Sequence, residues 1–199
     1  MKIVTPDIAH GRRRPDKRAL SVLLARRLAW HQAVHDPERE PRNDGRWLPE
    51  LRRWQAARLA ASFQGFMQDP KRKPAAEFFL TDLYGDRDFS RRDSDIARVA
   101  GKMQRLLPQT LLETLADAIE LGALSHAFDL RMAEALQRLA PKRKTLDDDL
   151  YGRAYREVGL PRLRAHQIDL IVVAGYGLGH ALRTRGVATL LSVLRGPAR

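Results

Sequence analysis

The sequence predicts an all-α fold, a single bundle of about seven helices organised around one long central helix. Three observations carry that expectation. Apolar residues recur at i, i+3, i+4 and i+7 through most of the chain. Pro49, Pro74, Pro108 and Pro161 stand where helices open, in the first turn, where a missing N–H costs nothing. The run from Pro108 to Ala140 is apolar on two sides, with Leu112, Leu115, Ile119, Gly122, His126, Leu130 and Ala133 along one and Leu121, Leu124 and Phe128 along another. A helix of that kind belongs at the centre of a bundle.

Taken in order, residues 1–15 read as a basic, flexible lead-in, and residues 16–199 as one all-α domain. Asp16 can cap a helix reaching His35, with Leu20, Leu23, Leu24 and Leu28 in helical period. Asp36 to Asn43 reads as a loop. Pro49 opens a helix whose inward side is Leu51, Trp54, Leu59, Phe63 and Phe66. Pro74 opens a short one that Gly85 can end, and Ser90 with Asp93 can start the next. After the long helix and a charged link, Asp147, Asp148 and Asp149 suit the first turn of a helix through Val158. Pro161 opens the last long helix, which runs to about Thr184.

Composition narrows the function classes. The 199 residues suit one domain with a real core. Cysteine is absent, which excludes disulfides and thiol catalysis and makes a reducing cytoplasm the expected setting. No apolar run of about 18 residues occurs, so neither a spanning helix nor a membrane role is expected. The opening MKIVTPDIAHGRRRP has no apolar core and is not read as a signal peptide. The net charge is +12. It divides as +9 through Lys73, −3 from Pro74 to Ala140 and +6 from Pro141 onward.

The densest cluster of chemistry lies between Ala75 and Asp95, AAEFFLTDLYGDRDFSRRDSD. Phe78, Phe79, Asp82, Leu83, Tyr84, Gly85, Asp88, Phe89, Arg92 and Asp93 compose the pattern FFxxDLYGxxDFxxRD, and a leucine-rich helical stretch follows. Over Pro74 to Leu139 the chain resembles a bacterial family of unknown function that carries this signature. The resemblance implies no activity that can be carried over. Capping accounts for Pro74, Gly85, Ser90 and part of Asp93, which leaves Asp82, Tyr84, Asp88 and Arg92 as the residues to place.

Several motifs have a chemical reading beside a plainer one. Asp82, Asp88, Asp93, Glu113 and Asp117 with Glu120 could converge as a carboxylate-lined pocket, or form a lattice with nearby arginines. The stripe Glu113, Asp117 and Glu120 could itself meet arginines of a neighbouring helix. His31 and His35 have metal-ligand spacing but no third ligand on their segment, and read as a solvated pair. His126 reads as a satisfied core histidine. IDLIVVAGYGLGHAL imitates a phosphate loop, yet Gly175, Gly177 and Gly179 lack the dinucleotide spacing and no βαβ unit follows. It reads instead as a helix whose small residues admit a second backbone.

The leading expectation is therefore a non-enzymatic interaction or regulatory module, with Gly175, Gly179 and His180 as candidate interface residues of a homodimer through the C-terminal helices. No cofactor or metal is expected. The second reading is a nucleic-acid-associated protein using the basic clusters at Arg12 to Arg14, Lys71 to Lys73 and Lys142 to Lys144. The third is an enzyme or small-ligand binder with a pocket near residues 82–93, whose candidate cluster is Asp82, Tyr84, Asp88, Arg92, Asp93, Glu113 and Asp117.

Overall fold

The structure is a computed structural model, and it describes residues 16–78, 80 and 108–183. Over these the chain is all-α, with helices packed as a bundle. In chain order they are α1 (Lys17–His35), a 3-10 turn (Pro41–Asp44), α2 (Trp47–Ser62), α3 (Gln64–Met67), α4 (Lys73–Phe78), α5 (Gln109–Leu139), α6 (Asp148–Val158) and α7 (Pro161–Arg183). The signature corner past Leu80 and the lead-in before Asp16 lie outside the described residues.

By internal contact the chain forms two compact units. The first takes α1 through His31, α5 through Ala123, and α7. The second takes residues 32–78, α5 from Leu124, and α6. Both α1 and α5 therefore contribute residues to each unit.

The helix ends follow local chemistry. Asp16 Oδ1 accepts from Ala19 N at 2.7 Å and opens α1 as its spacing predicts. Asp147 Oδ1 accepts from Leu150 N at 2.9 Å and caps α6, with Asp148 and Asp149 in the first turn facing the positive end of the helix dipole. Gly159 ends α6 at φ 58, where the left-handed backbone suits a residue without Cβ. Leu160 follows at φ 60, a conformation that costs a branched side chain about 1 kcal/mol or more. Helix α2 opens at Trp47, two residues before Pro49, because a proline is tolerated anywhere its N–H is an unbonded first-turn donor.

Phe66 departs from its expected inward position and is exposed. The helix breaks at Phe63, whose φ −91 and ψ 0 end α2, and α3 restarts with a new phase. Phe66 then packs on Phe63 at 5.4 Å between ring centres and beneath the Arg72 guanidinium at 5.6 Å.

Helix α5 is buried on several sides, as a central helix must be. In the first unit Leu112, Ala116, Ile119 and Ala123 are buried, together with Leu20 and Leu24 of α1 and Leu170 of α7. In the second, Leu130, Met132, Ala135 and Leu136 join Trp47, Leu48 and Leu51 of α2 and Leu150 and Ala154 of α6 in one core cluster. Such aliphatic and indole burial is the main favourable term in the fold, worth about 1.5–3 kcal/mol for each large side chain removed from water.

Candidate functional site

Of the seven residues of the carboxylate cluster, Asp82, Tyr84, Asp88, Arg92 and Asp93 lie outside the described residues. Glu113 and Asp117 are on α5 in the first unit. Glu113 accepts from Gln109 Nε2 at 3.2 Å, one turn back along the same helix. Asp117 accepts from Arg27 Nη1 of α1 at 2.8 Å, and Arg27 Nη2 pairs with Glu120. Glu120 Oε1 also meets His166 Nε2 of α7 at 2.9 Å. Asp117 and Glu120 of the acidic stripe thus find an arginine on a neighbouring helix, while Glu113 bonds within its own. One guanidinium, with 17% of its side chain exposed, bridges two carboxylates a turn apart and ties α1 to α5, while His166 ties α7 to the same point. Neither Arg27 nor His166 stood out in the sequence, because their partners are 90 and 46 residues away.

His126 is a core histidine and is 4% exposed. Asn43 Nδ2 donates to Val34 O at 3.0 Å and to Glu40 O at 2.9 Å, which turns its Oδ1 toward the ring. His126 Nε2–H donates to that oxygen at 2.8 Å, and Arg52 Nη2 donates to Nδ1 at 3.1 Å. An arginine can only donate, so Nδ1 carries the lone pair and Nε2 the proton. His35 stacks on the same ring at 4.0 Å. His31 and His35, expected as a solvated pair, are both half-buried. The imidazole of His31 lies where a Cβ on Gly122 would come within 3.1 Å of its Nε2, so Gly122 is the close-approach point of α1 on α5. Among the described residues no group of three or more His, Asp or Glu is placed to hold a metal ion.

Beside this cluster, Glu40 bonds Arg42 through Nε at 2.7 Å and Nη2 at 2.6 Å. That fork holds the Glu40 carboxyl below its usual range and raises the guanidinium pKa in turn.

Helix α7 carries the candidate interface. Gly175 and Gly177 are two residues apart, about 200° around the helix, so they cannot serve one face. A Cβ on Gly177 would fall inside the Thr114 side chain of α5, and Gly177 is therefore where α7 seats within its own unit. Around Gly175 a Cβ would meet nothing within 4 Å. Ile168 at 60% exposure, Ile171 at 37% and Tyr176 at 55% share that outward side, and Gly179 continues it one turn on. His180 is exposed at the same end. Only Leu170 among the described α7 side chains is fully buried. No helix of the described residues is long and apolar enough to cross a membrane.

The fold and these clusters define, over the described residues, an all-α protein in which Asp117 and Glu120 are held in ion pairs and helix α7 turns an apolar side outward. The chain belongs to the family DUF8198, a domain of unknown function, whose family model matches residues 34–199. The match reaches well beyond the signature and its following helix. No curated protein and no solved structure matches the chain significantly.

Proposed function

We propose that this protein is a non-enzymatic helical interaction module that pairs with a second copy of itself through the outward side of α7. The carrying observation is the ordered apolar stripe Ile168, Ile171, Gly175 and Tyr176, at i, i+3, i+7 and i+8, open on a helix whose opposite side is seated on α5. The stripe has large side chains at Ile168, Ile171 and Tyr176 and small ones at Gly175 and Gly179. Two copies running antiparallel about Val172 would set Ile168 of each opposite Tyr176 of the other, with Gly175 and Gly179 flanking that contact. That self-complementarity is what a two-fold interface requires. Large side chains beside glycines also pack to interior density. A sequence without cysteine suits a reducing compartment, and we place the protein in the cytosol on that ground.

Sedimentation velocity from about 1 to 100 µM tests this, a range that detects a pair of ordinary affinity. The wild type should dimerise. Ile168→Asp and Gly175→Leu should be monomers with unchanged helical circular dichroism, since neither side chain is needed inside its own unit. A wild type that stays monomeric at the top of the range, or variants that still dimerise, would end the proposal.

A further inference from the structure

Trp47, the first residue of α2, is 2% exposed and belongs to the core cluster of the second unit. Packing accounts for its ring but not for its N–H. Among the described residues the buried indole Nε1–H meets no acceptor. Buried donors are nearly always paired, and a phenylalanine would fill a core position without stranding one. Trp47 also lines a cavity of about 290 Å³ whose walls all belong to the second unit. Leu130 and Ala133 of α5 join the indole as its apolar floor, and Arg42, Arg46, Arg138 and Glu134 stand around it.

The three arginines are not equivalent. Arg42 is held by the Glu40 fork and by Glu134 at 3.4 Å, and Arg138 by Glu157 at 2.6 Å. Among the described residues Arg46 bonds only neutral oxygens, Gln137 Oε1 at 3.3 Å and Pro141 O at 2.7 Å, and its guanidinium lies over the Trp47 ring, 5.4 Å from the centre. Arg46 is also the N-cap of α2 and supplies no side-chain cap, so the positive end of that helix opens at the same place. From this arrangement we infer that the cavity binds a small organic carboxylate. Its charged group takes the Trp47 N–H and the Arg46 guanidinium at the start of α2, and its apolar body lies on Leu130 and Ala133. Arg46 is exposed and held by neutral acceptors, which leaves it able to turn from the indole face onto the ligand.

The donor count favours a carboxylate over a phosphate. With Arg42 and Arg138 committed to glutamates, one guanidinium and one indole N–H match a single planar carboxylate, whereas a dianionic phosphate calls for more donors. The volume is at the lower edge of ordinary small-molecule sites and suits a compound of about ten non-hydrogen atoms. Glu134 opposes such a ligand, and removing its charge should tighten binding. The inference is independent of α7, which belongs to the other unit, so either proposal can fail alone.

The test is a titration of the nitrogen-15-labelled full chain with sodium benzoate and sodium hexanoate at fixed ionic strength, beside benzamide, phenyl phosphate and inorganic phosphate. The chain has three tryptophans, and the indole N–H signal that Trp47→Phe removes is that of Trp47. On benzoate this signal should move downfield and saturate with a Kd of about 1 mM or below, while the neutral benzamide leaves it in place. Calorimetry on the variants gives the affinities. Trp47→Phe and Arg46→Gln should each weaken benzoate about tenfold, the loss of one charge-assisted hydrogen bond. Glu134→Gln should strengthen it several-fold, and Trp54→Phe should leave it unchanged. No saturable shift of the Trp47 signal up to about 10 mM overturns the inference, a ceiling that still detects millimolar binding. So does an affinity that Trp47→Phe leaves intact, or benzamide binding as tight as benzoate. Either phosphate binding as tightly as benzoate overturns the carboxylate assignment. Should Trp47→Phe fail to fold, the opposite effects expected of Arg46→Gln and Glu134→Gln decide the matter, since neither side chain is buried.

Discussion

Thr114 of α5 occupies the space that a side chain on Gly177 of α7 would need, and its Cβ would stand 3.0 Å from the new carbon. Rotation about χ1 moves the hydroxyl and methyl but not that Cβ. The hydroxyl is moreover engaged with Thr110 O at 3.0 Å. Gly177→Ala should therefore destabilise the first unit by about 1–3 kcal/mol, reduced by the helix preference of alanine. Gly175→Ala has open space around it and should stabilise the same helix by up to about 1 kcal/mol. Urea unfolding of the two variants, whose sequence change is identical, separates the seated side of α7 from the outward one. Thr114→Ala should rescue Gly177→Ala in part.

Arg27 is the joint of the first unit. Arg27→Met keeps the aliphatic stem but leaves Asp117 and Glu120 facing each other across one turn without their shared cation. A loss of about 1–3 kcal/mol is expected, the cost of unpairing partly buried charged groups. Adding Asp117→Asn to Arg27→Met should recover part of it. A double-mutant cycle that returns no coupling between residues 27 and 117 would show the contact to be energetically idle.

In the second unit, Asn43 holds Val34 O, Glu40 O and the His126 ring at once. Asn43→Ala strands one buried imidazole N–H and frees two carbonyls, which should cost about 1–3 kcal/mol. Asn43→Asp restores the acceptor for His126 but cannot donate to the two carbonyls, so it should rescue little. Rescue as complete as wild type would mean that the histidine bond alone carries the effect.

Acid should loosen the second unit through Asp147 and Glu40. The Arg143 guanidinium, followed by the Leu150 N–H, lowers the Asp147 pKa from its ordinary 3.8, and the Arg42 fork lowers that of Glu40 from its ordinary 4.5. Each is depressed in the folded chain, so its contribution is full above the ordinary value and is lost as pH falls through the folded value. Asp147→Asn keeps a good capping oxygen but removes the titration. Its melting temperature should lie slightly below that of wild type at neutral pH and converge with it below about pH 4. Thermal melts across pH 3 to 7 read this directly, and a gap that stays constant with pH would refute the assignment.

Helix existence was legible in the chain because the apolar period, Asp16, Asp147 and the four prolines are local signals. The bounds of α1, α5 and α6 and the start of α7 fall within a residue or so of where those signals put them. Burial of His126 was legible too, since it sits on an apolar side of α5. What periodicity could not supply was helix phase against a partner. Gly175, Gly177 and Gly179 look alike in sequence, and only the seating of α7 on Thr114 turns one inward and leaves another open. The same holds for Arg27, Asn43, Arg52 and His166, whose bonds span 46 to 90 residues. The contact of Trp54 with Tyr151 likewise joins two helices far apart in the sequence. A sequence by itself determines which residues share a helix face. Which faces meet depends on how side chains from distant segments fill one volume, and that is decided only when the helices pack.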